Sequence, residues 1–233
     1  MIRGESGTGS IKRISMRDVP GKDMYCDLEA YREIGLRLKG EDSVPFGIHF
    51  IDTGNYHYLT RIITSYINEK YELVLIDHHT DMQEPAFDGI LSCGSWALEA
   101  LEEDANLARL SVYGPPSVSI EAGRDIEVSL YGKKVLGKAY EKSTCSIDTP
   151  LYLSVDKDIL STNECVTNWD QGDMSLSELE DLIKKVVGTR RIIGADICGG
   201  LSGSDPKWTE EIMNLNIKSD MSLYKVIVNL MNR

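Results

Sequence analysis

The sequence predicts an α/β protein, a three-layer α/β/α sandwich with a mainly parallel sheet. Three observations lead there. Apolar runs of strand length recur along the chain, stretches with helical spacing separate them, and two of the runs end abruptly in dense polar clusters. The strand-like runs are residues 46–51, 72–76, 110–113, 151–155 and 191–197. Helical spacing marks residues 28–38, 59–70, 96–103 and 177–187. The last of these has a start signal, because Ser175 and Glu178 are spaced as a capping box, and Gly188 follows as a stop. Residues 125–138 alternate apolar and polar around Gly132 and predict a short hairpin, and the apolar stretch 223–231 reads as a final packing helix. The glycine-rich segment 4–10 follows no strand and lacks the Gly-Lys-Ser/Thr of a phosphate loop, so it is expected to be a terminus or hairpin turn.

Composition bounds what such a fold can do. A chain of 233 residues fits one domain spanning 1–233. At 42% hydrophobic and 27% charged it can bury a core and stay dissolved. No window approaches the roughly 18 apolar residues of a membrane span, and no apolar run follows the first basic residues as in a secretory signal. The five cysteines are odd in number and widely spread, which predicts reduced thiols and a cytoplasmic setting. A net charge of −12 without clustered Lys and Arg argues against nucleic acid and is consistent with a cationic small-molecule substrate.

The two polar clusters carry the chemistry. Asp77, His79 and Asp81 follow the run ending at Ile76, and Asp156 and Asp158 follow the run ending at Val155. In open parallel sheets, ligands bind beyond the carboxyl ends of the strands. If the backbone stays extended, residues two apart share a side and can converge. Four carboxylates at one sheet edge repel one another and hold protons unless cations neutralise them. Two divalent metals would supply that charge; oxygen ligands with a minority of imidazole suit Mn²⁺, with Fe²⁺, Co²⁺ or Zn²⁺ as alternatives. His49, alone on a strand, is expected to be an ordinary packed histidine.

These residues resemble the arginase and agmatinase (ureohydrolase) superfamily. Asp77-His78-His79-Thr80-Asp81 is similar to its Asp-Ala-His-x-Asp segment, with His78 in place of Ala. Ser154-Val155-Asp156-Lys157-Asp158 matches its Ser-x-Asp-x-Asp segment, and Gly54-Asn55-Tyr56-His57 is an altered Gly-Gly-Asp-His. The resemblance extends from about residue 46 to 200 and implies the arginase/deacetylase-like fold. It also implies one metal on His57, Asp77, Asp81 and Asp156, and a second on His79, Asp77, Asp156 and Asp158. Such a binuclear manganese centre would turn a bridging water into the hydroxide that attacks a guanidino or amidino carbon. Asp81 would carry the proton to the leaving amine. Family members are often homo-oligomers.

Two positions depart from the pattern. The family's shuttle His-Gly corresponds to Cys93-Gly94, making Cys93 the candidate proton carrier. The family's guanidinium-gripping Glu corresponds to Gly199, in Asp196-Ile197-Cys198-Gly199. Asp170, Asp173 or Asp205 are the candidate replacements, with Trp169 or Trp208 as stacking partners. The expected activity is therefore a Mn²⁺-dependent hydrolase of a non-peptide C–N bond. A one-zinc amide deacetylase, as in the related histone-deacetylase-like enzymes, and a metal-binding member without catalysis are the competing expectations.

Overall fold

The computed structural model describes residues 11–41, 44–87, 89–115 and 123–233. In chain order its elements are β1 (Tyr25–Cys26), α1 (Leu28–Lys39), β2 (Gly47–Phe50), α2 (Leu59–Thr64), β3 (Tyr71–Ile76), β4 (Leu91–Ser92), α3 (Trp96–Glu103), β5 (Leu107–Tyr113), β6 (Arg124–Leu130), β7 (Lys133–Glu141), β8 (Leu151–Asp156), α4 (Leu176–Val187), β9 (Ile192–Cys198) and α5 (Glu210–Met231). Seven strands form one sheet in the order β2-β9-β8-β3-β5-β7-β6. The first five are parallel to one another, and the β6–β7 hairpin adds to β5 antiparallel, leaving β6 on the outer edge. β1 and β4 make a separate two-stranded ladder.

The layering follows from the two-residue period of the strands. Along β3, Tyr71, Leu73 and Leu75 pack with Ile34 of α1, Ile62 of α2 and Trp96 of α3. Val74 and Ile76 point to the opposite core, shared with Leu179 of α4 and Leu223 of α5. Both faces are covered, as a parallel sheet requires. α4 illustrates the sequence logic: Leu179, Leu182, Ile183, Val186 and Val187 form its buried stripe, each worth roughly 1.5–3 kcal/mol over exposure. Its capping box is formed, with Glu178 N donating to Ser175 Oγ at 3.3 Å and Ser175 N to Glu178 Oε2 at 2.9 Å. Gly188, at φ 59°, ends it.

Some boundaries differ from expectation for local reasons. α2 stops at Thr64, short of the predicted 70, where Thr64 Oγ1 and Ser65 Oγ bond back to the Arg61 and Ile62 carbonyls. The hairpin is longer than predicted and belongs to the main sheet. α5 begins at Glu210, capped by the Thr209 side chain, well before residue 223. The glycine-rich segment 4–10 lies outside the described residues. Among the described residues, no helix is long and apolar enough to cross a membrane.

β3, β8 and β9 end side by side at Ile76, Asp156 and Cys198. The two polar clusters meet at this carboxyl edge.

Candidate metal centre

Six side chains from three loops converge beyond that edge. Asp77 leaves β3 with its N–H still bonded to Tyr113 O at 3.1 Å. The chain then bends instead of staying extended. His79 N donates to Asp77 Oδ1 at 2.6 Å, and Asp81 sits in the left-handed region at φ 50°, a conformation Asp tolerates better than most residues. The convergence of Asp77, His79 and Asp81 thus comes from a tight bend, not from the strand alternation that predicts it. Asp156 ends β8 and caps a one-turn 3-10 helix over Lys157–Ile159, accepting from Asp158 N at 2.9 Å. A second 3-10 turn, Gly54–Tyr56, delivers His57 just ahead of α2.

The side chains form two groups sharing Asp77. His57 Nδ1 lies 3.2 Å from Asp77 Oδ2, 3.0 Å from Asp81 Oδ2 and 3.4 Å from Asp156 Oδ2. His79 Nδ1 lies 2.8 Å from Asp158 Oδ2 and 3.6 Å from Asp77 Oδ1. In each of the sets His57/Asp77/Asp81 and Asp77/His79/Asp158, the potential ligand atoms lie within 4.8 Å of one another. All four carboxylates and His57 are buried, and His79 is half-buried.

Such burial of like charges strains the protonation states. Burial and Asp77 raise Asp156 to about 6, and burial, Asp156 and Asp77 push Asp158 far above the carboxylate range. Burial and Asp77 raise Asp81 as well. Burial also disfavours the Asp77 anion, but the hydrogen bonds from His57 and His79 outweigh it and hold this carboxyl low. The Asp158 and Asp77 hydrogen bonds raise His79 to about 12, and Asp77 and Asp81 overcome burial to raise His57 well above its ordinary value. The shifts share one cause, buried acids short of positive charge, and cations would meet the same need. The donor set, eight carboxylate oxygens and two imidazoles, is suited to a pair of divalent cations.

Behind the centre lies a buried relay. Ser154 Oγ donates to Asp196 Oδ1 at 2.8 Å, so it accepts from His57 Nε2 at 2.9 Å, which turns Nδ1 toward the acids. Thr60 Oγ1 donates to Asp196 Oδ2 at 2.9 Å. On the other flank, Trp96 Nε1 donates to Asp81 Oδ2 at 2.5 Å, and its ring lies 4.9 Å from that of His57. Asp170 Oδ1 is 3.0 Å from His79 Nε2, orienting that ring as carboxylates orient metal-binding histidines. Sequence reasoning gave no role to Thr60, Trp96 or the Ser154–Asp196 pair. A signal existed only for Ser154 and Asp196, which stand inside recognised segments.

The positions that depart from the family pattern have clear surroundings. Cys93 is buried beside the centre, where burial and Asp81 push its thiol up to about 11. Gly199 adopts φ 87°, and a Cβ there would lie 2.3 Å from Asp156 Oδ1 and 3.0 Å from Lys157 N. No side chain of any kind fits at 199 with Asp156 in place. Trp169 overhangs the site instead, its ring 5.9 Å from that of His79. Asn55 Oδ1 holds that loop by accepting from Trp169 Nε1 at 3.1 Å and Asn168 Nδ2 at 2.7 Å. The indole lies so close to Gly54 that a Cβ there would approach it to 2.6 Å. Asp173 lines a separate cavity of about 500 Å³ with His78, Lys133 and Gln171. Asp205 accepts from Lys207 N at 2.8 Å within the loop before α5 that also carries the half-exposed Trp208. His49 stays apart from the centre, its Nε2 3.4 Å from Pro45 O.

The fold is an arginase-like α/β fold. Solved structures sharing this fold include a proclavaminate amidino hydrolase from Streptomyces clavuligerus, 14% identical with a TM-score of 0.52 over 85% of this chain and 69% of that one. An arginase from Medicago truncatula aligns at 12% identity and TM-score 0.52 over 84% of this chain and 64% of that one. A formiminoglutamase from Trypanosoma cruzi with Mn²⁺ aligns at 10% identity and TM-score 0.51 over 85% and 71%. These are likenesses of fold. In sequence, the chain is 32% identical over 160 residues to an uncharacterised protein of Thermotoga maritima, covering 66% of this chain and 58% of that one. No family model matches the chain.

Proposed function

We propose that this chain is a hydrolase with two divalent metals, Mn²⁺ first among the alternatives, that cleaves a C–N bond in a guanidino or amidino compound. The observation carrying the reading is the pair of ligand groups, His57/Asp77/Asp81 and Asp77/His79/Asp158, which share a buried carboxylate at the sheet's carboxyl edge. The first position is assigned to His57, Asp77, Asp81 and Asp156, and the second to His79, Asp77, Asp156 and Asp158. When bound, the cations supply Lewis acidity and activate water as the nucleophile.

The chain's own residues then divide the remaining work. Asp77 and Asp156 hold the two positions together. Asp81 takes the nucleophile's proton and returns it to the leaving amine, its carboxylate aimed by Trp96 Nε1–H. Cys93, a neutral thiol near Asp81, is assigned a second proton transfer, to the departed amine to give its ammonium form, after which solvent re-protonates the thiol. Substrate recognition does not run through residue 199. The Trp169 face supplies a surface against which a planar sp² group can lie.

The test is elemental analysis of protein purified without chelator, alongside Asp77→Ala and Asp156→Ala, followed by assays of urea or ammonia release from guanidino and amidino compounds. Two transition-metal ions per chain, lost in both variants, with turnover in the wild type alone, is the expected result. A single zinc with turnover only on acyl-amines moves the assignment to the deacetylase class. No bound metal after Mn²⁺ is restored refutes it.

A further inference from the structure

The six residues assigned to the metals are all oxygen or imidazole donors, yet a thiol stands with them. Cys198 ends β9, and the sheet register sets it beside Asp156. Its Sγ, a carboxylate oxygen of Asp156 and a ring nitrogen of His57 all lie within 4.8 Å of one another, and all three residues are buried. The thiol's hydrogen-bond partner is the Thr53 carbonyl at 3.5 Å, a weak contact that is easily exchanged. Zinc–ligand distances are roughly 2.3 Å for sulfur and 2.0–2.1 Å for imidazole nitrogen. Three donors within 4.8 Å reach such distances with side-chain shifts on the order of 1 Å. The following residue, Gly199, adds no side chain against Asp156 Oδ1.

We propose that Cys198 is a thiolate ligand at the His57 position, and that this position prefers Zn²⁺, Co²⁺ or Fe²⁺ while the all-oxygen-and-imidazole His79 position keeps the affinity for Mn²⁺. The inference rests on the two-metal reading above and refines it. Thiolate is a soft donor that favours the later divalent metals, whereas the Asp77, His79 and Asp158 set offers nothing softer than imidazole. On binding, Cys198 loses its S–H proton to solvent and forms an S–metal bond, so loading the His57 position releases one more proton than ligation by the other residues alone.

Titration of chelator-treated protein with Co²⁺, followed by absorbance, tests this. The expected result is a near-ultraviolet thiolate-to-cobalt charge-transfer band appearing with the visible cobalt bands in wild type. Cys198→Ser should keep the visible bands, lose the charge-transfer band and bind Zn²⁺ at least tenfold more weakly, with Mn²⁺ binding unchanged. Visible cobalt bands without charge transfer in wild type overturn the Cys198 assignment and leave the metal centre standing. A charge-transfer band that persists in Cys198→Ser overturns it too, pointing to Cys93. No cobalt absorbance at all removes the two-metal reading itself. Sulfur K-edge absorption of the wild-type cobalt protein reads the S–metal bond without any substitution, so the result does not depend on the variant folding.

Discussion

A substitution at Gly199 separates motif resemblance from geometry. Matching motifs alone suggests that Gly199→Glu restores a carboxylate able to grip a guanidinium. The surroundings of the position say the reverse. At φ 87°, a residue with a Cβ pays about 1–2 kcal/mol in backbone strain. The Cβ would lie 2.3 Å from Asp156 Oδ1, roughly 1 Å inside ordinary contact, and relieving such overlap in a packed site costs typically 1–3 kcal/mol. Asp156 has to yield, because the other close atoms include the backbone N of Lys157. A misplacement of about 1 Å at a reacting centre can lower activity on the order of a hundredfold. The expected outcome for Gly199→Ala is therefore a loss of about 2–5 kcal/mol in stability, read as a Tm lower by about 4–20 °C for a domain of this size. Calorimetric titration should show Mn²⁺ affinity falling in the same variant, and Gly199→Glu should fare no better. A Gly199→Ala protein with wild-type Tm and full metal content refutes the reasoning, as does a Gly199→Glu protein with improved turnover on guanidino compounds.

Three further outcomes are expected. Ser154→Ala removes the acceptor of His57 Nε2–H and one of the two hydroxyl donors to buried Asp196; metal affinity measured by competition with a chelator should fall about ten- to hundredfold, and a fall in Tm with unchanged affinity would show the relay to be structural only. Trp96→Phe keeps the ring but removes the donor to Asp81; a destabilisation of about 1–3 kcal/mol in denaturant melts is expected, with loss of turnover exceeding loss of metal. Finally, the chelated protein should lose stability as pH rises. His79, raised to about 12, stabilises fully below its unfolded value near 6.5 and progressively less above it, and Asp156, raised to about 6, stabilises below 3.8 and ceases to do so as pH passes 6. Metal binding has the opposite sign, since protons compete for the same ligands; Tm curves of chelated and Mn²⁺-loaded protein from pH 6 to 9 should diverge, and parallel curves would contradict the linkage.

The parts legible in the sequence are those whose physical cause is local. The strands at 72–76 and 151–155 were visible because buried parallel strands carry mostly apolar runs, and the capping box of α4 because its two partners are three residues apart. The start of α5 was hidden, since its first half buries Asn216 and Ser219 in place of a continuous apolar stripe. In the site, Asp77, His79, Asp81, Asp156 and Asp158 announce themselves by spacing. The relay does not: Thr60, Ser154 and Asp196 are joined across separations of 136 and 42 residues, and a lone Ser or Thr carries no signal of what it will touch. Likewise Trp96 looks like any core aromatic until its indole N–H is found on Asp81.

The β6–β7 hairpin has a consequence beyond the site. Sheet ends tend to recruit strands from other molecules, because their backbone groups remain unpaired. Here the β6 end displays Arg124, Asp125 and Glu127 outward, each tied by an ion pair to Glu141, Lys138 or Lys134 on its neighbour. An incoming strand would have to strip water from this charged fringe and break those pairs. The same segment that widens the sheet thus discourages strand addition at this border, and neutralising the three charges together would make the border more prone to self-association.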